Sequence, residues 1–124
     1  MSETIDVNES ILTSIKKLLG PTEEYDAFDP DIIMHINSLF LTLQQIGIGP
    51  NEGFFISDKT SVWSDFVSDK VLVNAVKIYM YLKVKLLFDP PLSSSAVDSI
   101  NRQISEYEWR INEYADNLSA GIDI

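Results

Sequence analysis

The hardest constraint in this chain is the corner "KLLFDPPLSSSAVDSI", Lys85 to Ile100. Before it, Lys70 to Phe88 reads as one helix that is apolar on most sides, from Val71-Leu72-Val73 through Val76, Ile78 and Leu82 to Leu86-Leu87. Such a helix needs neighbours on several faces. Asp89-Pro90-Pro91 stops it, because the residue before a proline avoids helical backbone angles and proline brings no N–H. Serines 93–95 then offer caps, and a fourth helix starts near Ser94 or Ser95 and runs to about Ala115. Its residues Val97, Ile100, Ile104, Tyr107, Ile111, Tyr114 and Leu118 alternate steps of three and four, a heptad-like seam. The pattern predicts an antiparallel hairpin of these two helices. Asp89, Pro90 and Pro91 are its structural hinge, and Asp89 reads as a turn residue, not a catalytic acid.

Upstream, a first helix spans about 8–19, with Asn8 or Ser10 as cap and Gly20-Pro21 as its end. The acidic loop "TEEYDAFD" follows, and its Tyr25 and Phe28 are expected to anchor onto the core. A second helix spans about 30–46. Asp29 is its expected N-cap, Pro30 its first residue, and Gly47 its left-handed stop. Asp69 is placed to cap the third long helix, 70–88. Between them, residues 50–69 are the least regular part. A hairpin over 54–63 or an irregular loop fits equally well, with Trp63 and Phe66 on a short helical turn. The expected fold is therefore all-α: one domain over 1–124, a four-helix bundle with a long loop between helices two and three, and a tail over 116–124.

Composition narrows the function. The chain has 124 residues, 45% of them apolar, and no cysteine. That excludes disulfides, thiolate catalysis and cysteine metal sites, and it fits an intracellular chain or a particle assembled inside a cell. No apolar run reaches the ~18 residues of a membrane span, and the polar N-terminus is expected to be neither a signal nor a transit peptide. The net charge is −10. Residues 1–31 hold eight acids and two bases, residues 32–95 five of each, and residues 96–124 six acids and two bases. That balance argues against gripping phosphate backbones, though not against a surface that DNA slides past.

No catalytic set emerges. His35, the single histidine, lies between Ile33 and Ile36 on an amphipathic helix and reads as a half-buried structural residue. The carboxylates Glu23, Glu24, Asp26, Asp29 and Asp31 lack the glycine-turn spacing of a calcium loop. "GIGP" is no phosphate loop, since no lysine follows at the required spacing. No cofactor or metal is expected. Trp109 lies roughly 160° from Tyr107's side of its helix, and an indole so placed calls for something to cover it. Phe54, Phe55, Trp63, Phe66, Trp109, Leu118, Ile122 and Ile124 are therefore the candidate subunit or partner interface.

Taken in order, "IKKLLGPTEEYDAFDPDIIMHINSLF", "IGIGP", "VWSDFVSD", the run from "VKIYMYLKVKLLF" through "DPP" to "SS", and "INRQISEYEWRIN" resemble the small head-tail connector, or head-completion, proteins of tailed double-stranded DNA phages and prophages. The resemblance covers about Ile15 to Asn112. It implies a helical, non-enzymatic virion protein at the head-tail interface, assembled in the bacterial host cytoplasm. It further implies a homo-oligomeric ring, usually twelvefold, beneath the portal protein. Such a ring extends the DNA channel, lets double-stranded DNA pass without sequence-specific binding, and docks neck or tail-completion proteins. Two other readings remain. One is a small acidic regulatory protein that binds a host or phage protein through its C-terminal helix; the other is a metal enzyme using the 23–31 carboxylates.

Overall fold

The computed structural model describes residues 6–20 and 25–119, with side chains up to residue 117. Its elements are α1 (Ile11–Leu19), α2 (Asp29–Gln45), α3 (Trp63–Phe66), α4 (Lys70–Phe88) and α5 (Ser94–Ser119). α1 and α4 run in one sense, and α2 and α5 run in the other. α4 is the centre: α5, α2 and α1 all pack on it, α5 most extensively. That is the placement its all-round apolar sequence requires. Val73, Val76, Tyr79, Met80, Leu82 and Val84 are all buried.

Local chemistry sets the helix ends. Ser10, not Asn8, caps α1: its hydroxyl accepts the Thr13 N–H at 3.2 Å. Gly20 closes α1 at φ +94°, its N–H shared between the carbonyls of Lys16 and Lys17 at 3.1 and 3.2 Å. Asp69 caps α4, taking the N–H groups of Val71 and Leu72 at 2.9 and 3.1 Å. At the corner, the Asp89 N–H still reaches the Lys85 carbonyl at 2.8 Å, and the two prolines then end the helical ladder. Ser93 starts α5 by accepting the Ala96 N–H at 3.3 Å. On α5, Ile100, Ile104, Ile111 and Ala115 are buried, with Val97, Tyr107 and Tyr114 half-buried, so the seam from Val97 to Tyr114 packs where the sequence places it, Leu118 lying outside the described side chains.

Two expectations need correction. Asp29 does not cap α2. Phe28 occupies that position without a side-chain bond, and the Asp29 carboxylate faces the Lys16 ammonium at 2.7 Å. A lysine side chain only 5% exposed needs a counter-charge more than a helix end needs a cap. The contact is ionic, not a well-aimed hydrogen bond, and Asp26 adds a second carboxylate at 3.3 Å. Burial works to lower the Lys16 pKa, but the two aspartates outweigh it and hold the ammonium above its usual range. The second correction is that α5 continues to Ser119, so the expected tail over 116–124 begins inside a helix. Of the two alternatives left open for 54–63, the irregular loop is the one found: no strand forms among the described residues.

That loop is held by side chains and by the N-terminal segment. Asn37 on α2 clamps Ile56 at two points: its amide donates to the Ile56 carbonyl at 2.9 Å and its carbonyl accepts the Ile56 N–H at 2.8 Å. Ile56 thus satisfies its backbone without a partner strand. Residues 61–64, which run into the start of α3, pair instead with residues 7–11. Ile11 donates to Ser61, Trp63 to Glu9 and Ser64 to Val7, around the single antiparallel bridge Ser10–Val62. Asp65 starts the short α3 by accepting the Val62 N–H at 3.0 Å.

Candidate docking surfaces

The expected interface residues fall into three groups. Trp63 and Phe66 belong to the core. Trp63 is fully buried, and its indole N–H donates to the Ser14 hydroxyl at 2.9 Å. The Ser14 hydroxyl donates in turn to the Ser10 carbonyl, so this polar pair under α1 is satisfied. Phe66 stacks with Phe40 and Phe54 at centroid separations of 4.7 and 5.5 Å, leaving Phe54 half-buried. As free binding surface, Trp63 and Phe66 are overturned: the chain's own core has taken them, and Phe54 is largely committed to it.

Phe55 and Trp109 form the second group, 72% and 64% exposed. The Asn37 clamp turns Phe55 outward beside α2, on the side where Met34 and Leu41 flank Asn37 and are themselves exposed. Trp109 stands on the outward face of α5, one turn from Glu106 and Glu113. The third group, Leu118, Ile122 and Ile124, lies outside the described side chains. Asp89, Pro90 and Pro91 form the exposed or half-exposed corner at the end of α4.

The structure adds a surface that the sequence reading missed. Tyr25 and Phe28, expected as core anchors, are 55% and 41% exposed. They form an edge-on ladder with Phe88: Tyr25 to Phe28 at 5.4 Å and Phe28 to Phe88 at 5.3 Å. α2 begins where α4 ends, which brings the "YDAF" stretch to the corner. Leu18 near the end of α1, Leu87 near the end of α4 and Leu92 in the corner are exposed as well. The signal was there in aromatic residues stranded before α2 and at the end of α4, but only the antiparallel order of α2 and α4 joins them.

An open groove of about 660 Å³ lies beside the start of α2, lined by Leu12, Pro30 and Ile33, by Asp26, Asp29 and Asp58, and by Lys59. Its carboxylates are no metal centre: among the described residues no group of three or more His, Cys, Asp or Glu side chains stands close enough to hold an ion. Asp58 bonds the Thr60 hydroxyl and N–H, which hold its pKa below the usual value. Tyr79 on α4 is a perturbed acid–base group. Burial first, and then the Glu108 carboxylate at 2.9 Å, push its phenol above the usual range. That keeps it a neutral donor locking α4 to α5. His35 is half-buried on α2. No helix among the described residues is long and apolar enough to cross a membrane.

What remains is a helical scaffold whose unspent apolar groups lie on its surface. Residues 11–117 match the family model described as phage connector protein. The chain belongs to this connector family. The match runs from the first residue of α1 to within two residues of the end of α5, so it takes in the whole bundle. No curated protein and no solved structure matches the chain. A connector has a structural and non-enzymatic part in a phage, which accords with a molecule whose salient features are faces.

Proposed function

We propose that this connector is a head-tail adaptor of the virion, forming a ring beneath the portal protein that extends the DNA channel. Neck or tail-completion proteins dock on its far side, and assembly takes place in the host cytoplasm. The connector-family match over 11–117 carries this reading. The exposed Phe55 and Trp109 support it as subunit or partner contacts. In a closed ring each copy presents two different faces to its neighbours. The net charge of −10 suits a channel that DNA must pass without adhering. The twelvefold number follows from the family resemblance alone.

Native mass measurement and electron microscopy of the purified chain, alone and with the portal protein of the same phage, test the reading. Rings on the portal are expected. A chain that stays monomeric even with portal present refutes it, and a small complex made through α5 would favour the acidic regulator instead. The tail positions Leu118, Ile122 and Ile124 remain part of the proposal. Removing residues 120–124 should weaken portal docking and leave helicity intact.

A further inference from the structure

We infer that neighbouring copies of this chain meet head to tail, the outward face of α5 around Trp109 in one copy seating on the outward face of α2, at Met34, Leu41 and Phe55, in the next. The inference rests on the ring reading and deepens it. A ring gives every copy two different contact faces, and the chain's own charge selects which two.

α2 turns Ile32, Ile36, Leu39 and Leu43 into the core. Met34 and Leu41 stand on its opposite side, 60% and 56% exposed, each within one turn of Asn37. Asn37 holds Ile56 by two hydrogen bonds, which sets the exposed Phe55 beside them. No Asp, Glu, Lys or Arg occurs from residue 32 to residue 46, and the one titratable side chain there, His35, is half-buried. Charge returns only at the margins, at Asp31 before this stretch and at Glu52, Asp58 and Lys59 in the loop. The centre of a protein interface is depleted of charge in the same way, and Met34 adds a side chain that adapts to what it meets.

The α5 face differs in kind. Trp109 lies across the helix from the buried Ile104 and Ile111, so its indole is a knob on the side turned away from α4. Arg102 and Arg110, the only arginines in the chain, flank it, and tryptophan and arginine are the side chains that most often anchor an interface. Against these two arginines stand the exposed carboxylates Glu106, Glu113 and Asp116, with Arg110 and Glu106 paired at 2.6 Å. The face is thus close to neutral without being free of charge. A chain of −10 repels its own copies wherever two acidic surfaces meet. Setting α5 on α5 would bring Glu113 and Asp116 against their counterparts. Setting α2 on α2 would close at two copies and build no ring. Setting the α5 knob on the uncharged α2 face opposes no carboxylates at its centre and leaves each copy one free face of each kind, which is what a ring propagates.

The test uses the full chain assembled with the portal protein of the same phage. The chain has no cysteine, so an introduced pair reports a single contact. Ser38, one turn from Met34, and Ser105, one turn from Trp109, are both exposed. Oxidation of rings carrying Ser38→Cys together with Ser105→Cys should give a ladder of covalent multimers, while rings of either single variant stay uncrosslinked. Disulfides within a single variant mean two-fold pairing, and formed rings without any disulfide mean that the faces are apart; either result overturns the inference. Leu41→Glu and Trp109→Glu, each checked for helicity and melting, should each raise the concentration needed for ring assembly at least about tenfold. Wild-type assembly by either variant overturns the inference and leaves the connector reading standing. So does intact assembly with lost binding to the portal or neck protein, which would give that face to a different protein. If the wild-type chain forms no ring even on the portal, the connector reading falls and the inference falls with it.

Discussion

Asp69 holds the start of α4 and also ties it to the far end of α5. One carboxylate oxygen takes the Val71 and Leu72 N–H groups, and the other takes the Tyr114 hydroxyl. The Tyr114 bond first, and then the Leu72 N–H, hold its pKa below the ordinary 3.8. A depressed carboxylate stabilises the fold above its unfolded-state pKa, and that contribution is lost as pH falls through the lower folded-state value. Tyr114→Phe should therefore cost stability at neutral pH but much less near pH 2, read by urea titration at both. Asp69→Ala should cost about 1 kcal/mol as a lost cap. Two glycines give a second residue-scale contrast. Gly47 and Gly49 both have positive φ, at +92° and +96°, but a methyl at Gly47 would meet nothing within 4 Å, whereas at Gly49 it would strike the Phe66 ring. Gly47→Ala should cost about 1 kcal/mol, and Gly49→Ala about 1–3 kcal/mol more, in thermal or urea melts.

The helices are the part of the molecule most legible in the sequence. α4 has the limits its Asp69 cap and Asp89-Pro90 stop imply, and the α5 seam from Val97 to Tyr114 packs as its spacing requires. Those signals are local, so one chain suffices to read them. The misreadings have the opposite origin. Asp29 looked like a cap because its neighbours in sequence are a helix start, yet its decisive partner is Lys16 on another helix. Trp63 looked like spare surface because nothing near it in sequence covers it, yet Ser14, 49 residues away, takes its N–H. The Tyr25–Phe28–Phe88 ladder was invisible for the same reason. The first half of the loop between α2 and α4 is held by one such contact, the Asn37 clamp on Ile56. Asn37→Ala removes two hydrogen bonds and strands the Ile56 backbone, at a cost of about 2 kcal/mol. It should also open the loop near Phe54-Phe55 to limited proteolysis, while far-UV dichroism stays helical. Unchanged cleavage would show that Asn37 is not what holds the loop.

At the scale of the whole molecule, the two tryptophans report different things. Trp63 is sealed and Trp109 is 64% exposed. Iodide should quench only Trp109, and a Trp109→Phe variant should retain a blue, unquenched emission. If Trp109 lies in a contact between copies or with the portal, assembly should shift its emission to the blue and shield it from iodide. Continued full quenching in assembled rings removes Trp109 from the interface. The pairing of residues 7–11 with Ser61–Ser64 has a consequence for how the chain reaches its native state. α4 and α5 meet across a five-residue connection, so their contacts are low in contact order and quick to make. The N-terminal segment instead finds its mates only after roughly 50 residues of chain close on themselves, a slow and entropically costly search. The corner hairpin should thus form first and the amino terminus should lock on last. In stopped-flow experiments, Ile104→Val should slow refolding, whereas Trp63→Phe should act mainly by hastening unfolding. A chain still leaving the ribosome would by this order hold its N-terminal helix unpaired until α4 and α5 have emerged as well as residues 61–64.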